Sequence, residues 1–420
     1  MTNIIINGGK KLEGTLPIFG AKNACLPIIC AAVLANEEVK LTNIPGLSDI
    51  KLLLDLLDEI GFAYKLDETT RTITIIPQEI KNTELSEKAN KMRASIWFLA
   101  PMLAKKGKIK LPYPGGCSIG GRPIDITLDG LREMGVEFEE SDDFLIASCD
   151  KLVGTKFRLH FQSVGATEGL LMAAATAEGQ TILENVACEP EVIDTMDFLN
   201  AMGADIKFTG SREITINGVA KLNGCEHNIV PDRIITGTYA VLAALTAGEK
   251  GIKIENCDPT LLEAELNVLK QAGVKMDIYN DYIFVPQQEN NFQQTDFETA
   301  TYPGIATDLQ SPLTVFLTQV EGESHVTENI YENRLMHLPE LNKMGAKMDD
   351  VSKHIAVIRG KTDLTGATVK STDLRASASL VIAGLIADGE TIVEEVQHLD
   401  RGYETLDKFL AALGADIRRG

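Results

Sequence analysis

The stretch LDLLDEIGFAY, Leu54 to Tyr64, sets the architecture of the chain, because its pattern recurs five more times. Each copy is a leucine-rich amphipathic segment of helical period that runs into a glycine and then into an alternating apolar segment. The other copies are Leu128 to Phe138, Ile193 to Ile206, Leu262 to Met276, Leu338 to Met348 and Tyr403 to Ile417. Their glycines, which are Gly61, Gly135, Gly203, Gly273, Gly345 and Gly414, are spaced by 74, 68, 70, 72 and 69 residues in a chain of 420. This period predicts one supersecondary unit copied six times, with neighbouring copies burying each other's apolar faces.

A second module recurs with the first, and it joins an apolar helix to a glycine turn and a strand. The copies are Ala24 to Pro45, Ser95 to Pro114, Gly165 to Pro190, Gly237 to Pro259, Leu309 to Asn333 and Ser377 to Arg401. Small apolar residues fill these helices, as in Ala240 to Leu245, and a helix that is apolar on all sides is buried on all sides. The pattern predicts an α/β protein with helices inside and sheets outside. Three copies of about 70 residues fit one domain of ordinary size, so two domains are expected, with the boundary near Asn228 to Asp232.

The composition is that of a globular protein and excludes several function classes. Forty basic and sixty acidic residues give a net charge of −20, which disfavours nucleic acid and anionic lipid as partners. The longest apolar run, Ala24 to Ala35, contains a proline and is too short to span a membrane. Seven cysteines without paired spacing indicate neither a disulfide framework nor a zinc site, and no metal or cofactor is expected. A cytoplasmic location is predicted.

Polar and charged residues stand directly before the apolar helices and differ between the copies. A helix start offers unpaired N–H groups and the positive end of the dipole, so several starts together would bind an anion. The alternative is that these residues are ordinary helix caps. That alternative is weaker for the whole set, because caps do not require arginine. The residues are Lys22-Asn23, Arg93-Ala94-Ser95, Ser163-Val164-Gly165, Asp232-Arg233, Thr307-Asp308 and Asp373-Leu374-Arg375.

The largest departure from the repeat is the segment from Leu111 to Pro123, which has four glycines and three prolines in 13 residues. Such a segment predicts a loop whose backbone can approach a ligand closely. It holds Cys117, five residues from Arg122, and a positive neighbour favours thiolate chemistry or proton transfer. The alternative is that Cys117 is a small buried apolar residue.

Two further arginines, Arg334 and Arg401, stand at strand-to-helix junctions, where α/β folds often place ligand contacts. His337 and His398 lie near them and are expected at the surface, because their spacing fits neither a metal site nor a catalytic triad. The chain has no P-loop, dinucleotide fingerprint or nucleophile elbow.

Nine motifs together resemble the UDP-N-acetylglucosamine 1-carboxyvinyltransferases, from Gly8 to the C-terminus. They are Lys22-Asn23, Met92 to Ser95, Pro114 to Cys117, Gly121 to Asp125, Ser163 to Thr167, Thr307 to Gln310, Glu332 to Arg334, Thr372 to Ser377 and Asp400 to Tyr403. The resemblance implies two inside-out, barrel-like α/β domains, each built from three βαβαββ units, with the active site in the cleft between them. The first domain would be 22–230, and the second 1–21 plus 231–420.

The resemblance implies transfer of enolpyruvate from phosphoenolpyruvate to the 3'-hydroxyl of UDP-N-acetylglucosamine, through a tetrahedral ketal and with release of phosphate. This reaction is the first committed step of peptidoglycan synthesis, and it serves cell-wall biogenesis, cell shape and cell division. No cofactor, nucleic acid or membrane partner is implied. Covalent inhibition by fosfomycin at Cys117 is expected.

The resemblance also assigns roles to the motif residues. Lys22, Arg122 and Arg401 would hold the phosphate of phosphoenolpyruvate, Arg334 and Arg375 its carboxylate, and Arg93 would belong to the same anion site. Asn23 would contact the intermediate, Asp308 would accept the proton of the sugar hydroxyl, and Cys117, helped by Asp373, would protonate the methylene carbon. The nucleotide sugar would contact Arg122, Pro123, Ile124, Asp125, Ile126, Ser163, Val164, Gly165, Asp308 and Ile330. Some members have lysine where this chain has Phe161, which concerns binding of the diphosphate.

Two alternatives to this function are open. The first is 5-enolpyruvylshikimate-3-phosphate synthase, whose first motif resembles Lys-Ser-x-Ser-x-Arg. Here Lys22 is followed by Asn23 and Ala24, so the shikimate phosphate would lack its serine and arginine partners. The second is a ring-shaped DNA clamp built from repeats. A clamp would spread its basic residues over every repeat, whereas here they gather at junctions.

Overall fold

A computed structural model describes residues 3–113, 124–141 and 143–420 of the chain. Cys117, Arg122 and Pro123 lie outside these ranges, so the predictions made for them stay predictions.

The described residues form short strands that alternate with helices along the whole chain, as an α/β protein requires. The α-helices are α1 Lys22–Ala31, α2 Ser48–Glu59, α3 Leu99–Lys106, α4 Asp125–Glu133, α5 Val164–Ala174, α6 Pro190–Ala201, α7 Arg233–Thr246, α8 Glu263–Gln271, α9 Thr307–Leu317, α10 Leu338–Lys343, α11 Leu374–Ile386 and α12 Leu406–Ala412. Short 3₁₀ helices span Ala32–Leu34, Glu87–Lys91, Arg93–Phe98, Pro259–Leu262 and Val396–Arg401.

The strands are two to nine residues long. They are β1 Ile4–Asn7, β2 Leu12–Pro17, β3 Val39–Thr42, β4 Ala63–Asp67, β5 Thr72–Ile76, β6 Lys108–Pro112, β7 Glu137–Glu140, β8 Phe144–Ser148, β9 Lys156–Arg158, β10 Gln180–Glu184, β11 Asp205–Gly210, β12 Glu213–Asn217, β13 Glu226–Asn228, β14 Ala247–Glu255, β15 Asp277–Ile278, β16 Tyr282–Val285, β17 Phe297–Glu298, β18 Glu323–Thr327, β19 Met348–Ser352, β20 Ile355–Arg359, β21 Thr368–Lys370, β22 Glu390–Glu394 and β23 Asp416–Arg419.

The predicted sequence of helix, glycine and strand is confirmed at all six places. Helices α2, α4, α6, α8, α10 and α12 each end just before the repeat glycine, and strands β4, β7, β11, β15, β19 and β23 follow it. The six glycines have φ between 91° and 104°, a left-handed conformation that ends a helix at little cost only for glycine.

The small-residue helices are buried on nearly every side, as predicted. Thirteen of the 14 residues of α7 and nine of the 11 residues of α5 are buried. Strand residues instead alternate between buried and more exposed, so each sheet has one inner face. In the described ranges no helix is both long and apolar enough to cross a bilayer.

The described residues form six small sheets with one shared pairing scheme. Five sheets have four strands, in the orders β21-β22-β1-β23, β11-β12-β10-β9, β13-β3-β5-β4, β15-β16-β14-β2 and β17-β18-β20-β19. In each of these, the two strands at one edge form a parallel pair, and the other two pairs of neighbouring strands are antiparallel. The sixth sheet, β6-β8-β7, has two antiparallel pairs, and a parallel bridge between Glu84 and Lys110 stands where the fourth strand would be.

The described chain divides into two compact units, each with its own hydrophobic core. The N-terminal unit comprises 20–113, 124–141 and 143–230, and the C-terminal unit comprises 3–19 and 231–420. The first two strands belong to the C-terminal unit because of their pairing. Strand β1 lies between β22 and β23, and β2 lies parallel to β14.

Candidate active site

The helix starts that carry the predicted site residues are confirmed by the structure. Helices begin at Lys22, Val164, Arg233, Thr307 and Leu374, and a 3₁₀ helix begins at Arg93. The charged residues therefore lie at the first turns of helices, where unpaired N–H groups are available.

Three predicted residues of the C-terminal unit meet in one ion cluster. Asp308 is the second residue of α9. Its Oδ1 accepts a hydrogen bond of 2.7 Å from Arg334 Nη2, and its Oδ2 accepts bonds of 3.0 and 2.8 Å from Arg375 Nε and Nη2. The predicted base thus contacts both predicted ligands of the phosphoenolpyruvate carboxylate.

This cluster is largely shielded from solvent, and the carboxylate of Asp308 partly balances the charge of its two arginines. The side chains of Arg334 and Arg375 are 4% and 5% exposed, whereas that of Asp308 is 23% exposed. Burial opposes the charge of Arg375, but Asp308, Tyr403 and Asp232 together outweigh burial and raise the pKa of that guanidinium above its ordinary value. Two buried cations side by side require an anion, so the two arginines are suited to hold a carboxylate.

Asp373 caps the helix that carries Arg375. Its Oδ1 accepts the backbone N–H groups of Arg375 and Ala376 at 2.8 and 3.1 Å, and Arg334 Nη1 lies 3.6 Å from the same oxygen. The cap fixes the backbone at Arg375, which limits where the guanidinium can reach.

Tyr403 and Thr238 extend the cluster. Tyr403 closes the last of the nine motifs but was assigned no role, and Thr238 was not singled out. The guanidinium carbon of Arg375 lies 5.6 Å from the centre of the buried Tyr403 ring, a cation–π distance. The Tyr403 hydroxyl lies 3.0 Å from Thr238 Oγ1. These contacts hold the ring against the guanidinium.

Two buried carboxylates at the start of α9 were also missed by sequence reasoning. Glu265 Oε1 accepts the backbone N–H of Ala306 at 2.8 Å. Glu328 Oε2 accepts the hydroxyl of Thr307 at 3.0 Å. Together they fix the backbone directly before Asp308. A single acidic residue in a helix or after a strand looks like solvent-exposed charge in a sequence, so only the fold identifies these two.

The expectation that His337 lies at the surface is wrong. Its side chain is completely buried, and its Nδ1 lies 3.2 Å from the carbonyl oxygen of Arg334. Burial lowers the pKa of His337 to about 4. A neutral imidazole therefore packs behind Arg334.

The remaining predicted residues of this unit are Ile330 and Arg401. Ile330 follows β18, and its backbone N–H donates a 2.8 Å bond to Glu328 Oε1. Arg401 is the last residue of the 3₁₀ helix Val396–Arg401 and is partly exposed.

In the N-terminal unit, Lys22 pairs with a carboxylate that the sequence did not single out. Lys22 Nζ lies 2.5 Å from Asp49 Oδ2, and the two side chains are 11% and 7% exposed. Asp49 comes from the first turn of α2. The adjacent Asn23 is exposed. A buried carboxylate at this distance restricts the position of the ammonium group.

Six of the residues predicted to contact the nucleotide sugar lie at two helix starts of the same unit. Ile124 precedes α4, Asp125 and Ile126 open it, and Ser163 caps α5 by accepting the N–H of Ala166 at 3.3 Å. His160 Nε2 lies 3.8 Å from Asp125 Oδ2, so the segment before α5 is near the start of α4.

The segment before α5 also contains Phe161, the position at which some family members have lysine. Phe161 is 46% exposed, which is unusual for a large apolar side chain. Arg93, at the start of its 3₁₀ helix, is partly exposed.

Comparison with known proteins identifies relatives of this chain over its whole length. The family model for EPSP synthase (3-phosphoshikimate 1-carboxyvinyltransferase) matches residues 6–410. A UDP-N-acetylglucosamine 1-carboxyvinyltransferase of Chelativorans sp. (strain BNC1) is 44% identical over 429 residues, covering 100% of this chain and 99% of that protein. Another, from Magnetococcus marinus, is 44% identical over 420 residues, with coverage of 100% and 99%.

The fold is shared with a solved enolpyruvyl transferase. The crystal structure of the enolpyruvyl transferase NikO from Streptomyces tendae matches with a TM-score of 0.92 at 24% identity, covering 100% of this chain and 98% of that one. The resemblance indicated by the nine motifs is confirmed over the full length. The chain belongs to the EPSP synthase family and, within it, to the UDP-N-acetylglucosamine 1-carboxyvinyltransferases.

Proposed function

We propose that this enzyme transfers the enolpyruvyl group of phosphoenolpyruvate to the 3'-hydroxyl of UDP-N-acetylglucosamine and releases phosphate, as the first committed step of peptidoglycan synthesis in the cytoplasm. The observation that carries the proposal is the cluster of Asp308 with Arg334 and Arg375, a carboxylate held by two buried cations at a helix start. Relatives of 44% identity over the whole chain carry the name of this activity.

The cluster suggests how the base becomes active. Arg334 and Arg375 bind the carboxylate of phosphoenolpyruvate and share their charge between it and Asp308. Asp308 then removes the proton of the 3'-hydroxyl as the oxygen bonds to carbon 2 of phosphoenolpyruvate. Cys117 gives a proton to carbon 3, and Asp373 assists at that carbon. The product of this step is the tetrahedral ketal.

Elimination completes the reaction. The bond between carbon 2 and the phosphate oxygen breaks, carbon 3 loses a proton, and phosphate and the enolpyruvyl ether are the products. Lys22, Arg122 and Arg401 hold the phosphate, with Arg93 in the same anion site, and Asn23 contacts the ketal. Fixed cations of this kind stabilise the charge that develops as phosphate leaves. The pair of Lys22 with Asp49 supports this role, because it presents a positioned ammonium.

The nucleotide sugar binds along Arg122, Pro123, Ile124, Asp125, Ile126, Ser163, Val164, Gly165, Asp308 and Ile330. We propose in addition that the domains are 22–230 and 1–21 plus 231–420, each an inside-out arrangement of three βαβαββ units. The shared pairing scheme of the sheets supports a common unit.

Phosphate release with each acceptor tests the function. Purified enzyme is given phosphoenolpyruvate with UDP-N-acetylglucosamine, with shikimate 3-phosphate, or with no acceptor. Rapid release only with UDP-N-acetylglucosamine is expected. Release with shikimate 3-phosphate would favour the alternative synthase, which the names of the full-length relatives make less favoured. Membership of an enzyme family does not favour a DNA clamp.

Fosfomycin supplies a second test of the same proposal. It is expected to inactivate the enzyme with a mass increase on Cys117, and a Cys117→Asp variant should gain no adduct. An adduct on another cysteine, with Cys117 unmodified, would contradict the role proposed for that thiol.

A further inference from the structure

Glu328 is a fully buried carboxylate that none of the roles above uses. It directly follows β18 and is 0% exposed. Oε1 accepts the backbone N–H groups of Ile330 and Tyr331 at 2.8 and 3.1 Å, and Oε2 accepts the hydroxyl of Thr307 at 3.0 Å. Burying an ionised carboxylate costs several kcal/mol unless donors compensate it, so these three donors account for its position.

The backbone of Glu328 is fixed as firmly as its side chain. Its N–H donates to the carbonyl of His354 at 2.7 Å, and its carbonyl lies 2.9 Å from His354 Nδ1. The carboxylate is therefore a rigid point between two segments, the turn at 330–331 and the start of α9.

Thr307 connects this point to the ion cluster. Its hydroxyl binds Glu328, while its carbonyl oxygen accepts the Nε–H of Arg334 at 3.2 Å. Arg334 in turn donates to Asp308, the next residue of the chain. A displacement of Thr307 therefore moves the Asp308 backbone and one of its two arginines together.

We propose that Glu328 is a positioning residue. Through the hydroxyl of Thr307, it fixes the position of Asp308 and Arg334 relative to the turn that includes Ile330. This inference rests on the proposed function, in which Asp308 is the base and Ile330 contacts the nucleotide sugar. Misplacement of a catalytic group by about 1 Å can slow a reaction by about 100-fold.

Substitutions at Thr307 separate positioning from packing. Thr307→Val removes the hydroxyl but keeps the shape, whereas Thr307→Ser keeps the hydroxyl. Thr314→Val is the matched control, because Thr314 lies buried on the same helix and its hydroxyl donates to the carbonyl of Gln310 at 2.9 Å. Both valine variants lose one threonine hydroxyl on α9, but only the hydroxyl of Thr307 contacts Glu328.

The expected result is a split between kcat and KM. Thr307→Val should lower kcat about tenfold or more, with KM for UDP-N-acetylglucosamine within about twofold of wild type, because Ile330 remains bound to Glu328. Thr307→Ser and Thr314→Val should stay within about threefold of wild-type kcat. A Thr307→Val kcat equal to that of Thr314→Val, at a similar fall in Tm, would overturn the inference.

A second readout does not need turnover. Nuclear magnetic resonance of the arginine Nε–H signals should show faster hydrogen exchange for Arg334 in Thr307→Val than in Thr307→Ser or Thr314→Val. Equal exchange in all three variants counts against Glu328 as a positioning residue. If wild-type enzyme releases no phosphate with UDP-N-acetylglucosamine, the proposed function has failed, and the exchange comparison alone decides the positioning.

Discussion

Asp308 is a partner of two cations and, in the proposed function, also the base. Arg334 and Arg375 each donate hydrogen bonds to its carboxylate, so its charge is shared with two cations. In the proposed function, the carboxylate of phosphoenolpyruvate competes with Asp308 for these two arginines. Proton removal by Asp308 would then depend on the presence of the anionic substrate.

Replacement of Asp308 by asparagine tests this dual role. Asp308→Asn should lower kcat by roughly 100-fold or more, a typical loss for a general base, while substrate affinity changes little. It also removes the carboxylate that both buried guanidinium groups contact most closely, so the free energy of unfolding should fall by roughly 3–5 kcal/mol. Steady-state kinetics and urea unfolding measure the two effects.

An exposed pair provides the control for that substitution. Asp349 pairs with Arg359 at the surface, and its side chain is 59% exposed. Asp349→Asn should change neither kcat nor stability measurably. An Asp308→Asn enzyme with an unchanged kcat would remove Asp308 as the base.

His337 makes the stability of the C-terminal unit depend on pH. Burial lowers its pKa from 6.5 to about 4, so between these values the unfolded chain binds a proton that the folded protein does not. Stability is then lost as pH falls from about 6.5 towards 4, at up to ~1.4 kcal/mol for each pH unit.

His337→Asn should reduce this acid sensitivity. Asparagine can still donate to the Arg334 carbonyl but has no titrating group. Between pH 7.5 and 5.0 the wild type should lose about 2 kcal/mol more than the variant, as urea unfolding at the two pH values would show. Equal losses in the two proteins would mean that His337 is protonated in the folded state.

At the scale of elements, the sheet β21-β22-β1-β23 depends on a strand from the other end of the chain. Strand β1 is a central strand, and its Ile4 and Ile6 are completely buried. Strand β23 is an edge strand of the same sheet. The two strands are similar in length but differ in how many partners they support.

Deleting each strand in turn tests this difference. Removal of residues 1–7 leaves β22 and β23 without their shared partner, so the C-terminal unit should lose its cooperative unfolding transition. Removal of 416–420 takes away only an edge, and the transition should persist at a Tm lowered by several degrees. Circular dichroism during heating measures both. An equal fall in Tm for the two deletions would show that the central strand contributes no more to stability than the edge strand.

At the scale of the whole molecule, the seven cysteine thiols are predicted to differ in their reactivity towards alkylating agents. Burial raises the pKa of the Cys25 and Cys30 thiols, and burial also raises that of Cys225 and Cys257 to about 11. None of these four favours thiolate at neutral pH. Cys149 and Cys188 are partly buried, and burial also raises the pKa of their thiols.

Iodoacetamide should therefore modify Cys117 first, and UDP-N-acetylglucosamine should accelerate the reaction. Peptide mapping over time gives the order for all seven positions. Modification of Cys25 or Cys188 before Cys117, with simultaneous loss of activity, would contradict both the predicted order of reactivity and the role proposed for Cys117.

Local features of the chain were predictable from sequence, and contacts between distant residues were not. The repeat glycines and the helix starts at Lys22, Thr307 and Leu374 follow from capping and periodicity, which depend on neighbouring residues. The pair of Lys22 with Asp49 joins different helices, and Tyr403 meets Thr238 across 165 residues. The buried state of His337 and Glu328 likewise depends on packing that no local pattern encodes.

The position of β1 between β22 and β23 bears on how the chain is made. This isoleucine-rich strand is synthesised long before its partners at 390–394 and 416–419. At ~5–20 residues per second, the strand waits for tens of seconds, during which the stretch 20–230 can collapse around its own core. The core of one unit can therefore form during synthesis, whereas the sheet that contains β1 is completed only once residues 416–419 have been made.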